Sequence, residues 1–340
     1  MALDLSDTLV VGISATALFD LREADAIFQD AKRNDPKNAL ESYRQHMLES
    51  EDAPLADGTA MPLVKALLDL NQYCSPGGGE PLVEVVVMSR NSPETGIRVF
   101  NNIRQRQLAV SRHAFTGGES VVDYLKAYDV DLFLTTNVQD AQRVIDGHHC
   151  AAAVLKQPPN DSNHLPEGQL RIAFDGDAVI FDESSELVYK AEGLDSFLAN
   201  EDRKQDVPMP AGPYATLLKK LSRLQDRLPF SVDYSPVRIA IVTARNAPAE
   251  LRVIKTLRHW GVYVDEVFFL GGIDKAQVLK AFRPHIFFDD QDLHLERAAA
   301  LVPSGRVPYS SGSALNQSPE GVSVEGETHD NDSEPGASAC

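Results

Sequence analysis

The chain predicts an α/β fold of two doubly wound parallel-sheet units in tandem, the N-terminal one degenerate, each carrying a helical insertion. Three observations lead there. β-Branched apolar runs alternate with segments of helical periodicity throughout, the pattern of strands joined by crossover helices. At 340 residues and 43% hydrophobic content, the chain exceeds what one ordinary core fills. Finally, residues 88–137 resemble 242–291 when slid by about 154 positions.

Strands are expected at 8–14, 82–88, 108–113 and 130–135, then at 170–175, 237–242, 262–269 and 285–288. Between them, apolar residues spaced three to four apart predict helices over 94–106, 119–127, 139–147, 248–259, 274–282 and 292–300. Domains are expected at 1–150, with an insertion over 22–80, and at 151–309, with a cap insertion over 183–236. The cap region contains VPMPAGPY (207–214) before a helical run of Leu217, Leu218, Leu221 and Leu224. Phe181 or Tyr214 is available there to stack on a ligand ring. The insertion 22–80 is expected to serve a structural or homo-oligomeric role. After Arg306 there is no Lys or Arg, and Ser, Gly, Pro, Asp and Glu crowd 310–340, which predicts a disordered acidic tail.

The self-comparison pairs MSRNSPETGIRVFNNI (88–103) with VTARNAPAELRVIKTL (242–257), and DLFLTTN (131–137) with HIFFDDQ (285–291). Upstream, ISATALFD (13–20) resembles FDGDAVIFD (174–182) with one residue dropped. Ser14 and Thr16 then stand where Asp175 and Asp177 stand, and Thr135 and Thr136 where Asp289 and Asp290 stand. Chemistry that needs carboxylates therefore belongs to the second copy.

A formal charge of −18 argues against nucleic acid or an anionic membrane as partner, since both need a basic footprint. Cys74, Cys150 and Cys340 lie far apart, which fits neither a disulfide framework nor a zinc knuckle. The acidic start and the absence of a long apolar run point to a cytoplasmic protein. Gly77-Gly78-Gly79 lacks the Lys-Ser/Thr of a phosphate-binding loop, and adjacent His148-His149 would point apart on a helix.

Four strings of the second copy place reactive groups just past strands: FDGDAVIFD (174–182), IAIVTARN (239–246), LGGIDKAQ (270–277) and PHIFFDDQ (284–291). In an open parallel sheet, ligands bind where such carboxyl ends converge. Asp175 is expected to attack phosphorus, and Asp177, past a glycine that permits a sharp exit, to act as general acid and base. Carboxylates repel a phosphate dianion, so the site requires Mg2+, held by Asp175, Asp289 or Asp290 and a backbone carbonyl near Asp177. Thr243 and Lys275 would hold the phosphoryl oxygens, with Ala244 and Arg245 beside them on the substrate.

These residues resemble the signature of the haloacid dehalogenase superfamily: Asp175-x-Asp177-x-Val179, Thr243, Lys275 and the Asp289-Asp290 pair, in that order. A finer resemblance covers most of 8–309: ALFDL (17–21), TGGES with YLKAY (116–128), LRIAFDGDAV (170–179), VTAR (242–245) and RPHIFFDDQ (283–291) are similar to the cytosolic 5′-nucleotidase type I family. The resemblance implies magnesium-dependent hydrolysis of nucleoside 5′-monophosphates, AMP prominently; residue spacing alone supports only a phosphomonoester.

Overall fold

The structure, a computed structural model, describes residues 5–74, 80–159, 165–229 and 234–317. Ten strands form one sheet: β1 (Leu9–Ile13), β2 (Val83–Ser89), β3 (Arg112–Phe115), β4 (Leu132–Thr135), β5 (Ala151–Leu155), β6 (Leu170–Phe174), β7 (Val237–Thr243), β8 (Glu266–Phe269), β9 (Ile286–Asp289) and β10 (Ser304–Arg306). Their spatial order is β3-β2-β1-β4-β5-β10-β9-β6-β7-β8. Each half of the sheet is parallel throughout, and each has the same internal order when read from its outer edge. The halves meet at one antiparallel pair, Gly305 opposite Leu155 and Arg306 opposite Val154. Because that seam reverses direction, the carboxyl ends of the two sets of strands lie on opposite edges of the sheet.

The fold is therefore α/β with a mostly parallel sheet, joined into one surface rather than two separate sheets. The two seam strands are the ones that periodicity did not reveal. β5 reads AAAVL, poor in the branched residues that mark strands, and β10 is three residues long. The same smallness makes the seam: a Cβ at Gly305 would lie 3.0 Å from that of Ala153, so glycine lets β10 approach β5. β3 begins four residues later than the spacing suggested, with Leu108 and Val110 packing before it as irregular chain.

Alternation along the strands sends side chains to two faces. On one face Leu9, Val11, Ile13, Ile172, Phe174, Ile286 and Phe288 share a single core that crosses the seam. The other face holds two separate cores, around Phe133 in the first half and Phe287 in the second. Two helices interlock the halves on the shared face. The helix Met61–Asp69, from the first insertion, packs against β6, while the helix Ala215–Asp226, from the second insertion, packs against β1. Leu63 and Leu67 meet Leu217 and Leu221 over the middle of the sheet. Lys220 adds an ion pair across to Asp131 at 2.7 Å.

The region 183–236 thus divides by task. Helices Ser184–Glu192 and Leu194–Arg203 form a hairpin, whereas Ala215–Asp226 returns to cover the sheet. Phe181 and Tyr214 are fully buried, against Trp260 and against Phe174 and Phe288 respectively. Neither ring can stack on a ligand. Residues 310–317, placed by composition in a disordered tail, are packed: Leu315 is buried against Tyr309 and Ala178, and Ser311 bonds Asp146. One leucine and a few hydroxyls suffice to anchor that short stretch. The remainder of the expected tail, 318–340, and the glycine run 77–79 lie outside the described residues.

Candidate active site

β6 lies between β7 and β9, so the residues that follow these strands converge. Asp175 leaves β6 buried, its backbone N–H donating to the Phe288 carbonyl at 2.8 Å. Its Oδ1 accepts from the Gly176 N–H at 2.7 Å and from Lys275 Nζ at 2.9 Å. Lys275 opens the helix Lys275–Phe282, which Asp274 caps by accepting from the Ala276 N–H. The same ammonium reaches Asp289 Oδ2 at 2.7 Å, at the end of β9. Asp289 Oδ1 accepts from the Gln291 N–H at 2.9 Å, and His294 Nδ1 stands 3.3 Å from Oδ2.

Thr243, at the end of β7, is buried against Gly176, where a Cβ would lie 3.3 Å from its hydroxyl. A side chain where the chain turns off β6 would press on that hydroxyl. Between Gly176 and Ile180 the chain turns irregularly, with Asp177 extended and Ala178 at φ +58°. Asp177 does not join the carboxylate cluster. Both of its oxygens are gripped by Arg245, Nε at 2.8 Å and Nη2 at 2.6 Å. Arg245 is 3% exposed and also pairs with Glu201, so it does not face a substrate here, whereas Ala244 beside it is exposed.

The electrostatics follow from burial. Asp175, Asp289 and Asp290 sit together out of solvent, with Lys275 as the cation among them. Burial raises the proton affinity of Asp175 and of Asp290; for Asp290 the neighbouring Asp289 and Asp175 raise it further, well above the ordinary value. Burial pushes Asp289 up as well, but Lys275 and His294 more than offset it. Lys275, though buried, is held above its usual value by Asp175 and Asp289. Three carboxylates against one ammonium call for a further cation.

The cluster offers the donors that a divalent cation takes. Asp175, Asp289 and His294 each offer an atom within 4.8 Å of the others, and the carboxylate oxygens are the hard donors that Mg2+ takes. Asp290 Oδ2 accepts from the Tyr309 hydroxyl, while its buried Oδ1 has no partner among the described residues. An orphaned carboxylate oxygen beside two more carboxylates is where a divalent cation would be satisfied.

Four participants were not found from sequence. His294 lies five residues past Asp289, a spacing that was available as a signal. Tyr309 follows β10 and reaches back to Asp290. Glu201 and Arg252, 51 residues apart, join Arg245 only in space. In the first half, Ser14, Thr16 and Thr136 form a hydroxyl chain, with contacts of 3.1 and 2.6 Å, where the second half carries acids.

A family model described as 5′-nucleotidase matches residues 1–314. Among curated proteins the chain is similar to the cytosolic 5′-nucleotidase 1B of Homo sapiens, with 34% identity over 300 residues, 87% of this chain and 48% of that protein. The chain thus spans about half the length of that relative. No solved structure matches it.

Proposed function

The chain belongs to the 5′-nucleotidase family, and from that premise we propose that it is a phosphoric monoester hydrolase that releases phosphate from nucleoside 5′-monophosphates of the AMP type. The observation that carries this reading is the convergence of Asp175, Thr243, Lys275 and Asp289 at the neighbouring ends of β6, β7 and β9. Mg2+, held by Asp175, Asp289 and Asp290 with the backbone near Asp177, would neutralise phosphate charge and offset the carboxylate excess.

Asp175 Oδ1 is occupied by Gly176 N–H and Lys275, which leaves Oδ2 to attack phosphorus. The new O–P bond forms as the bond from phosphorus to the ribose 5′ oxygen breaks, and Asp177, which must first leave the Arg245 fork and take up a proton, donates it to that oxygen. The product is a phosphoryl ester on Asp175 and a free nucleoside. Asp177, now ionised, takes a proton from water as its oxygen attacks phosphorus, which frees Asp175 and restores the acid. Lys275 and the Thr243 hydroxyl hold the equatorial oxygens as charge accumulates on them.

The two halves are, in this reading, copies of one haloacid dehalogenase-like unit, 1–150 and 151–309, of which the first has lost its carboxylates. Their equal strand order and the hydroxyl chain of Ser14, Thr16 and Thr136 support it. A cytoplasmic location accords with the word cytosolic in the relative's name, and no helix among the described residues is long and apolar enough to cross a membrane.

The test is a substrate panel of AMP, IMP, CMP, dTMP and sugar phosphates with Mg2+. Nucleotides turned over faster than sugar phosphates support the reading. Preference for a sugar phosphate would move the chain to another small phosphomonoester, and no phosphate release from any nucleotide would overturn the hydrolase.

A further inference from the structure

His294 brings a nitrogen to a cluster of carboxylate oxygens. Its Nδ1 is shielded from solvent and stands 3.3 Å from Asp289 Oδ2, yet the two are out of line for a hydrogen bond, and Nδ1 has no hydrogen-bond partner among the described residues. Asp290 Oδ1, also at the end of β9, is buried and unpartnered in the same way. Buried polar atoms left so cost desolvation and gain nothing in return until a ligand meets them.

The spacing is that of a coordination shell. Adjacent ligands of an octahedral ion, each bonded at about 2.1 Å, stand about 3.0 Å apart without hydrogen bonding to one another. Asp175 offers an oxygen within 4.8 Å of the donor atoms of both Asp289 and His294, which completes a set of two oxygens and one nitrogen. Lys275 does not use up the set. Asp289 Oδ2 accepts from Lys275 Nζ at 2.7 Å, and a carboxylate oxygen has a second lone pair to give.

The first half shows the same helix position without the acids. Continuing the offset of the two copies, Asp140 stands for His294, and Thr135 and Thr136 for Asp289 and Asp290. Asp140 is buried and closed by internal bonds: Arg90 grips it through Nε at 2.9 Å and Nη2 at 2.5 Å, and Ser120 Oγ donates at 2.8 Å. In the second half those two grips are gone. The counterpart of Arg90 is Ala244, which has no side-chain donor, and that of Ser120 is Asp274, committed to the Ala276 N–H and Arg297. The position is sealed where the strand ends carry hydroxyls and open where they carry carboxylates.

We propose that His294 Nδ1 is a ligand of the cation held by Asp175 and Asp289, and that this nitrogen sets the metal preference of the site. Mg2+ takes hard oxygen donors, whereas along the first-row divalent series affinity for a site containing imidazole rises from Mn2+ onward. The site therefore selects transition divalent ions over Mg2+. This rests on the reading of the cluster as a divalent-cation site.

The test is metal binding to the full chain without substrate, which does not depend on hydrolysis of AMP. Calorimetric titration of the wild type is expected to give a Kd for Mn2+ at least tenfold below that for Mg2+. His294→Phe, which keeps a ring and removes the donor, should weaken Mn2+ at least tenfold and Mg2+ less than threefold. With Mn2+ bound, pulsed electron paramagnetic resonance of the wild type should show a directly coupled nitrogen that is absent from His294→Phe. Bound Mn2+ without that coupling, coupling that survives in His294→Phe, or equal affinity of the wild type for the two ions overturns the inference. Should His294→Phe not fold, the wild-type spectrum and the two wild-type affinities carry the test. A wild type that binds neither ion refutes the cation site itself. One that binds Mn2+ through nitrogen and releases no phosphate from any nucleotide refutes the proposed hydrolase and upholds the role of His294.

Discussion

Replacing Lys275 by Met removes the ammonium that pairs the buried Asp175 and Asp289. Lys275 Nζ touches Asp175 at 2.9 Å and Asp289 at 2.7 Å, all three groups being almost wholly buried. Breaking a buried pair by deleting one partner costs about 3–5 kcal/mol, because the remaining charge is left uncompensated. With a urea m-value of roughly 3 kcal/mol/M, that is a fall of about 1–1.7 M in the unfolding midpoint. The sign with pH is fixed. Without the ammonium, both carboxylates bind protons more readily folded than unfolded, so the deficit is greatest at neutral pH and shrinks on acidification. On the proposed role of the site, Mg2+ would bind the folded state alone and return about 2.7 kcal/mol at a hundredfold excess over its Kd. The assay is urea unfolding of both proteins at pH 7.5 and pH 5, with and without Mg2+. A deficit below about 1 kcal/mol, or one that widens toward acid, would refute the charge accounting.

Further expectations concern parts of the fold away from Lys275. His285 is buried with Nδ1 accepting from the Arg171 N–H at 3.1 Å, and burial lowers its pKa from 6.5 to about 4. Its neutral form therefore contributes about 3 kcal/mol above pH 6.5, lost as pH falls toward 4, and His285→Gln should flatten that window of a stability–pH curve. Tyr309→Phe deprives Asp290 of its donor and should weaken Mg2+ binding by about tenfold or more in calorimetric titration; unchanged affinity would exclude a role in orienting Asp290. Residues 165–317 expressed alone should not fold, because Leu217 and Leu221 lose Leu9, Val11 and Leu132, and co-expression with residues 1–159 should recover soluble protein. A cooperative unfolding transition of 165–317 by itself would contradict the interlock.

The strand ends were legible in sequence because Asp175, Thr243 and Asp289 each directly follow an apolar run, as Thr243 follows Ile239-Ala240-Ile241-Val242. The order of the strands in the sheet then brings Asp175, Lys275 and Asp289 together. The seam was not legible, since Ala151–Leu155 and Ser304–Arg306 carry too little β-branched character to announce strands, and their pairing is set by close approach of small residues. Nor could periodicity distinguish the leucines of Ala215–Asp226 as a sheet-covering helix from those of a lid. Phe181 and Tyr214 illustrate the same limit: an aromatic beside a loop reads alike whether it faces a ligand or the core. Arg245 was visible in the VTARN string, but its partners Asp177 and Glu201 are 68 and 44 residues away, so its buried fork could emerge only from the fold.

The central claim is that Asp175 carries the phosphoryl group. Rapid acid quench of the wild type during turnover of AMP labelled in its phosphate tests it directly, with the modified peptide located by mass spectrometry. Label attached to Asp175, and absent from Asp175→Asn, is the predicted result. Full phosphate release by Asp175→Asn, or label on another residue, would contradict it.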